Sequence, residues 1–240
     1  QTNWIQIGND IDGEAEWNFS GGSGSLSQDG TIVAIGGSWN NGKEGERSGH
    51  VRIYKNESGI WTQLGNDIDG EDAEDNFGTS VSLSSDGTIV AIGARLNGDN
   101  GNASGHVRIH EYVDGEWTQI GSDIDGEAEG DVSGIRVSLS SDGSIIAIAG
   151  PGNDDNGINS GHVRIYKNAN GIWTQIGNDI DGEAEWDTLG SVLSLGLSAD
   201  GSIVAIGAAF NDGNGENSGH VRVYENVNGS WIQIGEDIDG

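Results

Sequence analysis

The sequence predicts an all-β chain built from four tandem copies of one four-stranded antiparallel unit. Three observations predict it. Trp-x-Gln-(Ile/Leu)-Gly begins at Trp4, Trp61, Trp117, Trp173 and Trp231, and Ser-Gly-His-Val-Arg places His at 50, 106, 162 and 220, so two independent motifs keep one period of about 57 residues. Ile (27) and Val (14) far outnumber Leu (9), which favours pleated strands over helices. No segment sustains a helical period, and 43 glycines among 240 residues would weaken long helices.

The second unit shows the elements in order. Val81-Ser82-Leu83 begins to alternate, and Asp86-Gly87 marks a tight turn. Thr88-Ile89-Val90-Ala91-Ile92 is an apolar, β-branched run, the mark of a central strand. A long loop rich in Asn, Asp and Gly follows (Asn97-Gly98-Asp99-Asn100), and His106-Val107-Arg108-Ile109-His110 then alternates polar and apolar as a third strand. Asp114-Gly115 turns the chain into the fourth strand, Trp117 to Ile120, and a second long, acidic loop leads to the next unit. Asp-Gly and Asn-Gly pairs at both tight turns suit hairpins whose two central residues take positive φ. Turns alternate between the ends of a meander, so the tight turns share one end of each sheet and the long acidic loops share the other.

A single four-stranded meander buries too little apolar surface to be stable, so the units must stack face to face. The third unit's Ile145-Ile146-Ala147-Ile148 is apolar on both faces, as a sheet held between neighbours requires. A radial stack of such sheets is a β-propeller, the expected architecture; an open linear stack of the same sheets is the alternative. Residues 1–240 read as one repeat domain, with a surplus strand-four copy at 1–8 and blades at about 14–65, 71–121, 127–177 and 183–235. A chain that begins at Gln1 and holds no Met is expected to be processed or part of something longer. The surplus strand suggests self-assembly by strand addition.

The net charge is −29, from 39 acidic and 10 basic side chains. Such a chain does not bind a phosphate backbone, so nucleic acid is excluded as a partner. No apolar run suits membrane insertion. Zero Cys removes disulfides and thiolate metal sites.

Asn76-Phe77-Gly78-Thr79-Ser80-Val81, Ala91-Ile92-Gly93-Ala94 and Gly105-His106-Val107-Arg108-Ile109 together resemble an FG-GAP repeat, the blade type of the integrin α-chain propeller and its bacterial relatives. The Trp-Thr-Gln-Ile-Gly and Asp-Ile-Asp-Gly-Glu segments are also similar to repeats of secreted, surface-associated proteins of marine Bacteroidetes. The resemblance implies an extracellular or cell-surface location, adhesion or ligand binding and, in many members, calcium. The chain departs from the family where its calcium hairpin needs several spaced acids: Leu83-Ser84-Ser85-Asp86-Gly87-Thr88 has a single Asp. The Phe-Gly pair is intact only in unit two, the equivalents being Ser20-Gly21, Ser133-Gly134 and Leu189-Gly190.

Three constellations carry chemistry. The acidic loop repeats Asp-Ile-Asp-Gly-Glu as Asp10/Asp12/Glu14, Asp67/Asp69/Glu71, Asp123/Asp125/Glu127 and Asp179/Asp181/Glu183, with Asp237/Asp239 at the end; 23 of the 39 acids fall in these five segments, so most of the charge is periodic. Closely spaced hard oxygens suit calcium, the one cofactor this pattern allows, and the Asn/Asp/Gly-rich loop at the same end (Asn40-Asn41-Gly42, Asn97-Gly98-Asp99-Asn100, Asn153-Asp154-Asp155-Asn156 and Asn211-Asp212-Gly213-Asn214) could share that cation; a purely structural turn and a solvated loop explain the same residues. The second constellation is His50/Arg52, His106/Arg108, His162/Arg164 and His220/Arg222, each pair on one strand face. One identical pair per unit reads as architecture, a buried Arg paired with a carboxylate. The third is Trp17, Trp39 and Trp186, which stand outside the repeat motif beside Asp and Asn and suit stacking on a sugar ring; local packing at the blade edge is the alternative.

These features predict an adhesion or structural surface module with an extracellular protein or glycan as partner. A lectin with sites repeated between blades is the second reading. A carbohydrate-active enzyme needs two carboxylates at a defined separation in one cleft, and four equivalent acidic loops single out no pair, so the chain is expected not to be an enzyme.

Overall fold

The computed structural model describes residues 3–190 and 195–240. Among them there are strands and no helix, hence no helix long and apolar enough to cross a membrane. The first unit contains β1 (Ser20–Leu26), β2 (Ile32–Gly37), β3 (His50–Glu57), β4 (Ile60–Gln63) and β5 (Ile68–Asp69). The second contains β6 (Phe77–Leu83), β7 (Ile89–Ala94), β8 (His106–Val113), β9 (Glu116–Gln119) and β10 (Ile124–Asp125). The third contains β11 (Arg136–Leu139), β12 (Ile145–Gly150), β13 (His162–Ala169), β14 (Ile172–Gln175) and β15 (Ile180–Asp181). The fourth contains β16 (Leu195–Leu197), β17 (Ile203–Ala208), β18 (His220–Val227), β19 (Ser230–Gln233) and β20 (Ile238–Asp239).

Each unit is one antiparallel sheet in which neighbours in sequence are neighbours in space, the up-down meander of a propeller blade. The expected fourth strand is split. In the first unit β4 pairs with the far half of β3 (Tyr54 with Gln63), and after the Gly65-Asn66-Asp67 kink β5 pairs with its near half (His50 with Asp69, Val51 with Ile68). Part of the segment expected to be a loop is therefore strand, because Ile68, Ile124 and Ile180 are drawn into the core.

The two tight turns differ. In the β3–β4 hairpin both Ser58 (φ 56°) and Gly59 (φ 88°) have positive φ, as expected of a two-residue turn, and the other three units repeat this. In the β1–β2 turn only Gly30 does (φ 71°), so the expected pair of positive-φ residues is corrected there. Asp29 staples that longer turn instead: one carboxylate oxygen accepts from the Thr31 amide, the Thr31 hydroxyl and the Ser27 hydroxyl at 2.8–2.9 Å.

The blades pack in sequence order, with β1 and β2 on β6, β6 and β7 on β11, and β11 and β12 on β16. Among the described residues no strand of the first sheet packs closely on a strand of the fourth, so the blades form an open arc. Blade joins are polar as well as apolar. Trp61, Trp117, Trp173 and Trp231 each donate their indole N–H to a backbone carbonyl of the preceding unit, on Ile7, Leu64, Ile120 and Ile176, at 2.8–2.9 Å. At the tight-turn end, Gln28, Ser85 and Ser141 amides donate to Ser85, Ser141 and Ala199 carbonyls. The additional Trp-Ile-Gln-Ile-Gly copy, expected as a strand over 1–8, lies outside any sheet over residues 3–8, and residues 1–2 fall outside the described residues. Its Ile7 carbonyl receives Trp61.

The Gly of the Phe-Gly pair explains why that position keeps Gly in every unit while Phe varies. Gly78 has φ 86°, and a Cβ there would lie 2.6 Å from the His50 carbonyl oxygen.

Candidate functional site

The third strand of each unit carries His and Arg two residues apart on one face, at the long-loop end. The structure divides each Asp-Ile-Asp-Gly-Glu segment between two blades. The first Asp stays with the His of its own unit: the imidazole Nδ1 of His50, His106, His162 and His220 lies 3.7, 3.7, 3.4 and 3.5 Å from Asp67, Asp123, Asp179 and Asp237. The Glu crosses to the next unit, where Glu14, Glu71, Glu127 and Glu183 meet Arg52, Arg108, Arg164 and Arg222. The middle Asp enters the short strand beside His, as His50 with Asp69, His106 with Asp125 and His162 with Asp181. Asp10 accepts a hydrogen bond from Gln6 and Asp12 is exposed; neither joins the His/Arg cluster of the first blade. The acids expected together on one loop thus come together with the His/Arg pairs, four times over.

The four clusters are of two kinds. In the outer units Arg closes on the acids. Arg52 holds Asp67 with two hydrogen bonds (3.0 and 2.9 Å) and also pairs with Glu14; Arg222 holds Asp237 (both 3.0 Å) and pairs with Glu183. Such forked pairing is the strong form of the interaction. In the inner units Arg points elsewhere. Arg108 and Arg164 donate at 2.7 Å to the carbonyls of Asp69 and Asp125, and their nearest carboxylates are Glu71 (3.2 Å) and Glu127 (3.6 Å). Arg108 also lies 4.2 Å from the centre of the Phe77 ring, the aromatic of the intact Phe-Gly pair.

Electrostatics follow this division. Burial, and then Arg108, push the His106 imidazole down to about 4. Burial raises Glu71 and Glu127, with neighbouring acids adding to the effect. Burial also opposes ionisation of Asp67, yet the hydrogen bonds from Arg52 and Gln63 outweigh it and hold the carboxyl below its ordinary value. Arg222 does the same for Asp237.

The second long loop supplies what the acidic segment lacks. Asn97 and Asn153 accept from the amides two residues on, which places Asp99 and Asp155 at the clusters of the inner units. Gly42 and Gly213 occupy the corresponding positions of the outer units. From the sequence, turn alternation places this loop beside the acidic segment, where the two could share a cation, without separating Asp99 and Asp155 from their neighbours, although the Asp/Gly difference between units is visible by lining up the repeats. Asp75, Asp131 and Asp187 were also missed; they are buried and cap backbone amides of the acidic segment.

The calcium hairpin that the family resemblance implies does not fit these residues. The single Asp of each β1–β2-type turn (Asp29, Asp86, Asp142 or Asp200) already serves its own Ser and Thr or Ser partners.

The three Trp outside the repeat lie at the long-loop edge of the outer blades. Trp17 is 77% exposed and Trp186 is 58% exposed. Trp39 stacks on Phe19 (ring centres 4.3 Å apart) and carries the Arg47 guanidinium 5.0 Å from its ring centre. Together Glu16, Trp17, Trp39, Asn41, Glu46 and Arg47 line a groove of about 280 Å³. Beside it, Glu14, Lys43, His50, Gln63, Asp67 and Asp69 line a polar cleft of about 610 Å³.

Comparison with known proteins bears on this arrangement. Residues 68–109 match the FG-GAP repeat family. That match runs from β5 of the first unit into β8 of the second, the unit with the intact Phe77-Gly78 pair, which is the resemblance expected from the sequence. No curated protein matches the sequence. Among solved structures, the chain is similar to a proposed 6-phosphogluconolactonase from Bacteroides uniformis (TM-score 0.59, 14% identity, covering 90% of this chain and 54% of that one). It is also similar to the periplasmic gluconolactonase of Pseudomonas aeruginosa (0.59, 18%, 91% and 57%) and to hydrazine synthase of Kuenenia stuttgartiensis (0.54, 13%, 88% and 53%). The chain spans about half the length of each. At these identities the likeness establishes the propeller fold and not a reaction. It also corrects one expectation: two of these structures are lactonases in name, so the repeat architecture that argued against an enzyme does not do so.

Proposed function

We propose that this propeller is an extracellular adhesion module that recognises glycan through the aromatic groove of its first blade. One observation carries the reading: an exposed indole (Trp17) and a second indole (Trp39) share a groove with Arg47, Glu46 and Asn41. Aromatic faces stack on the apolar faces of sugar rings, while the charged and amide groups bond their hydroxyls. The fourth blade repeats half of the device, with Trp186 and Phe210 exposed at the equivalent positions. The second and third blades place Glu74/Leu96 and Gly130/Gly152 there, so recognition belongs to the outer blades and is not repeated in all four. A glycan array with the wild type and with Trp17→Ala/Trp39→Ala tests this. Binding that the double variant abolishes supports it; no binding by the wild type, or binding indifferent to both Trp, rejects it.

A second reading, hydrolysis of a sugar lactone, draws on the polar cleft beside the groove. Burial and the adjacent Arg52 lower the pKa of His50, which leaves a neutral imidazole able to act as a base, 3.7 Å from Asp67. Proton release from gluconolactone, compared between wild type and His50→Gln in a pH-stat, separates turnover from binding.

A further inference from the structure

We infer that the second and third blades each hold a divalent transition-metal ion of the zinc class, at Glu71–Asp99–His106–Asp123 and at Glu127–Asp155–His162–Asp179. In each set the four ligand atoms lie within 4.8 Å of one another. A tetrahedral zinc shell has ligand atoms about 3.3 Å apart, so closure asks for a movement of roughly 1 Å, which the exposed Glu and loop Asp of each set can supply.

An acidic cluster alone proves nothing; the imidazole does the pointing. His106 is fully buried, neither of its ring nitrogens has a hydrogen-bond partner, and its Nδ1 faces Asp123 at 3.7 Å. His162 is equally buried, with Nδ1 3.4 Å from Asp179 and 3.6 Å from Glu127, and neither nitrogen is in hydrogen-bonding geometry. A buried ring nitrogen without a hydrogen bond is costly, and a metal at Nδ1 would satisfy the one that faces the acids.

Charge agrees with geometry. Three carboxylates and the guanidinium of Arg108 leave a surplus of two negative charges, which a divalent ion cancels. In the outer blades the fourth acid is replaced by Gly42 or Gly213, and Arg52 or Arg222 grips the Asp with two hydrogen bonds, taking the place a cation would need. In the inner blades the Arg turns to a backbone carbonyl and leaves that place open. The donor set selects the metal: one imidazole with three carboxylates suits zinc and its neighbours, whereas calcium takes six to eight oxygens. These blades are not those of the proposed glycan groove, so the two ideas stand or fall separately.

The test uses the full chain after dialysis against chelator, titrated calorimetrically with Zn²⁺ and separately with Ca²⁺. The expected result is two Zn²⁺ per chain and weaker or no Ca²⁺ binding. Asp99→Gly/Asp155→Gly gives the inner blades the residue that the outer blades already carry; it should weaken Zn²⁺ at least about tenfold and leave the metal-free Tm unchanged. Co²⁺ loaded in place of Zn²⁺ should show the intense visible absorption of four-coordinate cobalt with a nitrogen ligand, and His106→Asn/His162→Asn should remove it. No Zn²⁺ binding, four equivalents in place of two, binding unaltered by Asp99→Gly/Asp155→Gly, or preference for Ca²⁺ would each overturn the inference.

Discussion

His110 stands where the other units hold Tyr54, Tyr166 and Tyr224. Burial, with the nearby Arg108 adding to it, pushes its imidazole down to about 4. The unfolded chain therefore binds the proton first: between pH 6.5 and 4 it holds more protons than the native state, and stability falls as pH drops through that window. At pH 5 this one group costs about 2 kcal/mol. His110→Tyr, a residue the same position accepts three times elsewhere, should leave stability near pH 7 little changed and recover about that amount at pH 5. Urea unfolding at the two pH values measures it; equal losses in both proteins would show that His110 is not the cause. Trp17 gives a second residue-scale prediction. Its φ is 68°, and the equivalent positions are also left-handed, in Glu74, Gly130 and Trp186. The fold demands this conformation, and only Gly130 adopts it without strain. Trp17→Gly should raise stability by about 1 kcal/mol and, on the proposed reading, abolish glycan binding. A Tm that drops would mean that the indole packs more than its exposure shows.

At the scale of the element, the tight turn between the first two strands is held by one carboxylate. Asp86 accepts from the Ser84 hydroxyl and from both the amide and hydroxyl of Thr88 at 2.7–3.0 Å, and these bonds hold its carboxyl below its ordinary value although burial opposes them. Asp86→Ala should cost about 1–2 kcal/mol, and Asp86→Asn less, since an amide oxygen can still accept; thermal melts of the two rank them, and equal melts would reject the staple. This element also shows how far the sequence was legible. The strands were, because alternating and doubly apolar runs of Ile and Val have no other use, and the Ser58-Gly59 hairpins were, because only two adjacent positive-φ residues close them. The first turn was read too short, although Ser two places before Asp and Ser or Thr two places after it are in the sequence. The broken outer strand was not legible: Ile68 is recruited by burial and the Gly65-Asn66-Asp67 kink by the path around it, and both are set by β3. The candidate site was half legible. His, Arg and the acids were each visible as periodic, and turn alternation put both long loops at one end, but the meeting depends on a Glu crossing between blades and on Asp99 and Asp155 being the loop residues delivered, neither of which sequence spacing encodes.

At the scale of the whole molecule, the open arc gives the four blades unequal neighbours. The inner central strands are buried almost throughout, from Val90 to Ala94 and from Ile146 to Gly150. Positions that the inner units bury are open in the outer ones: Leu83 is 7% exposed and its counterpart Leu26 60%, while Ile124 is 6% exposed and its counterpart Ile238 61%. In a stack where each unit touches only its neighbours, stability is a sum of unit and interface contributions, and an end unit has one interface in place of two. Opening should therefore begin at the ends and proceed inward, with the inner Trp117 and Trp173 anchors released last. Hydrogen exchange reads this directly. Amides of β7 and β12 should be the slowest, those of β1 and β16 the fastest, and the β2 and β17 amides should lie between them. Adding Zn²⁺ should slow exchange in β8 and β13, the strands that carry His106 and His162, more than in β3 and β18. A uniform protection pattern would show instead that the four blades open as one cooperative body and that the unequal burial of their faces carries little energy.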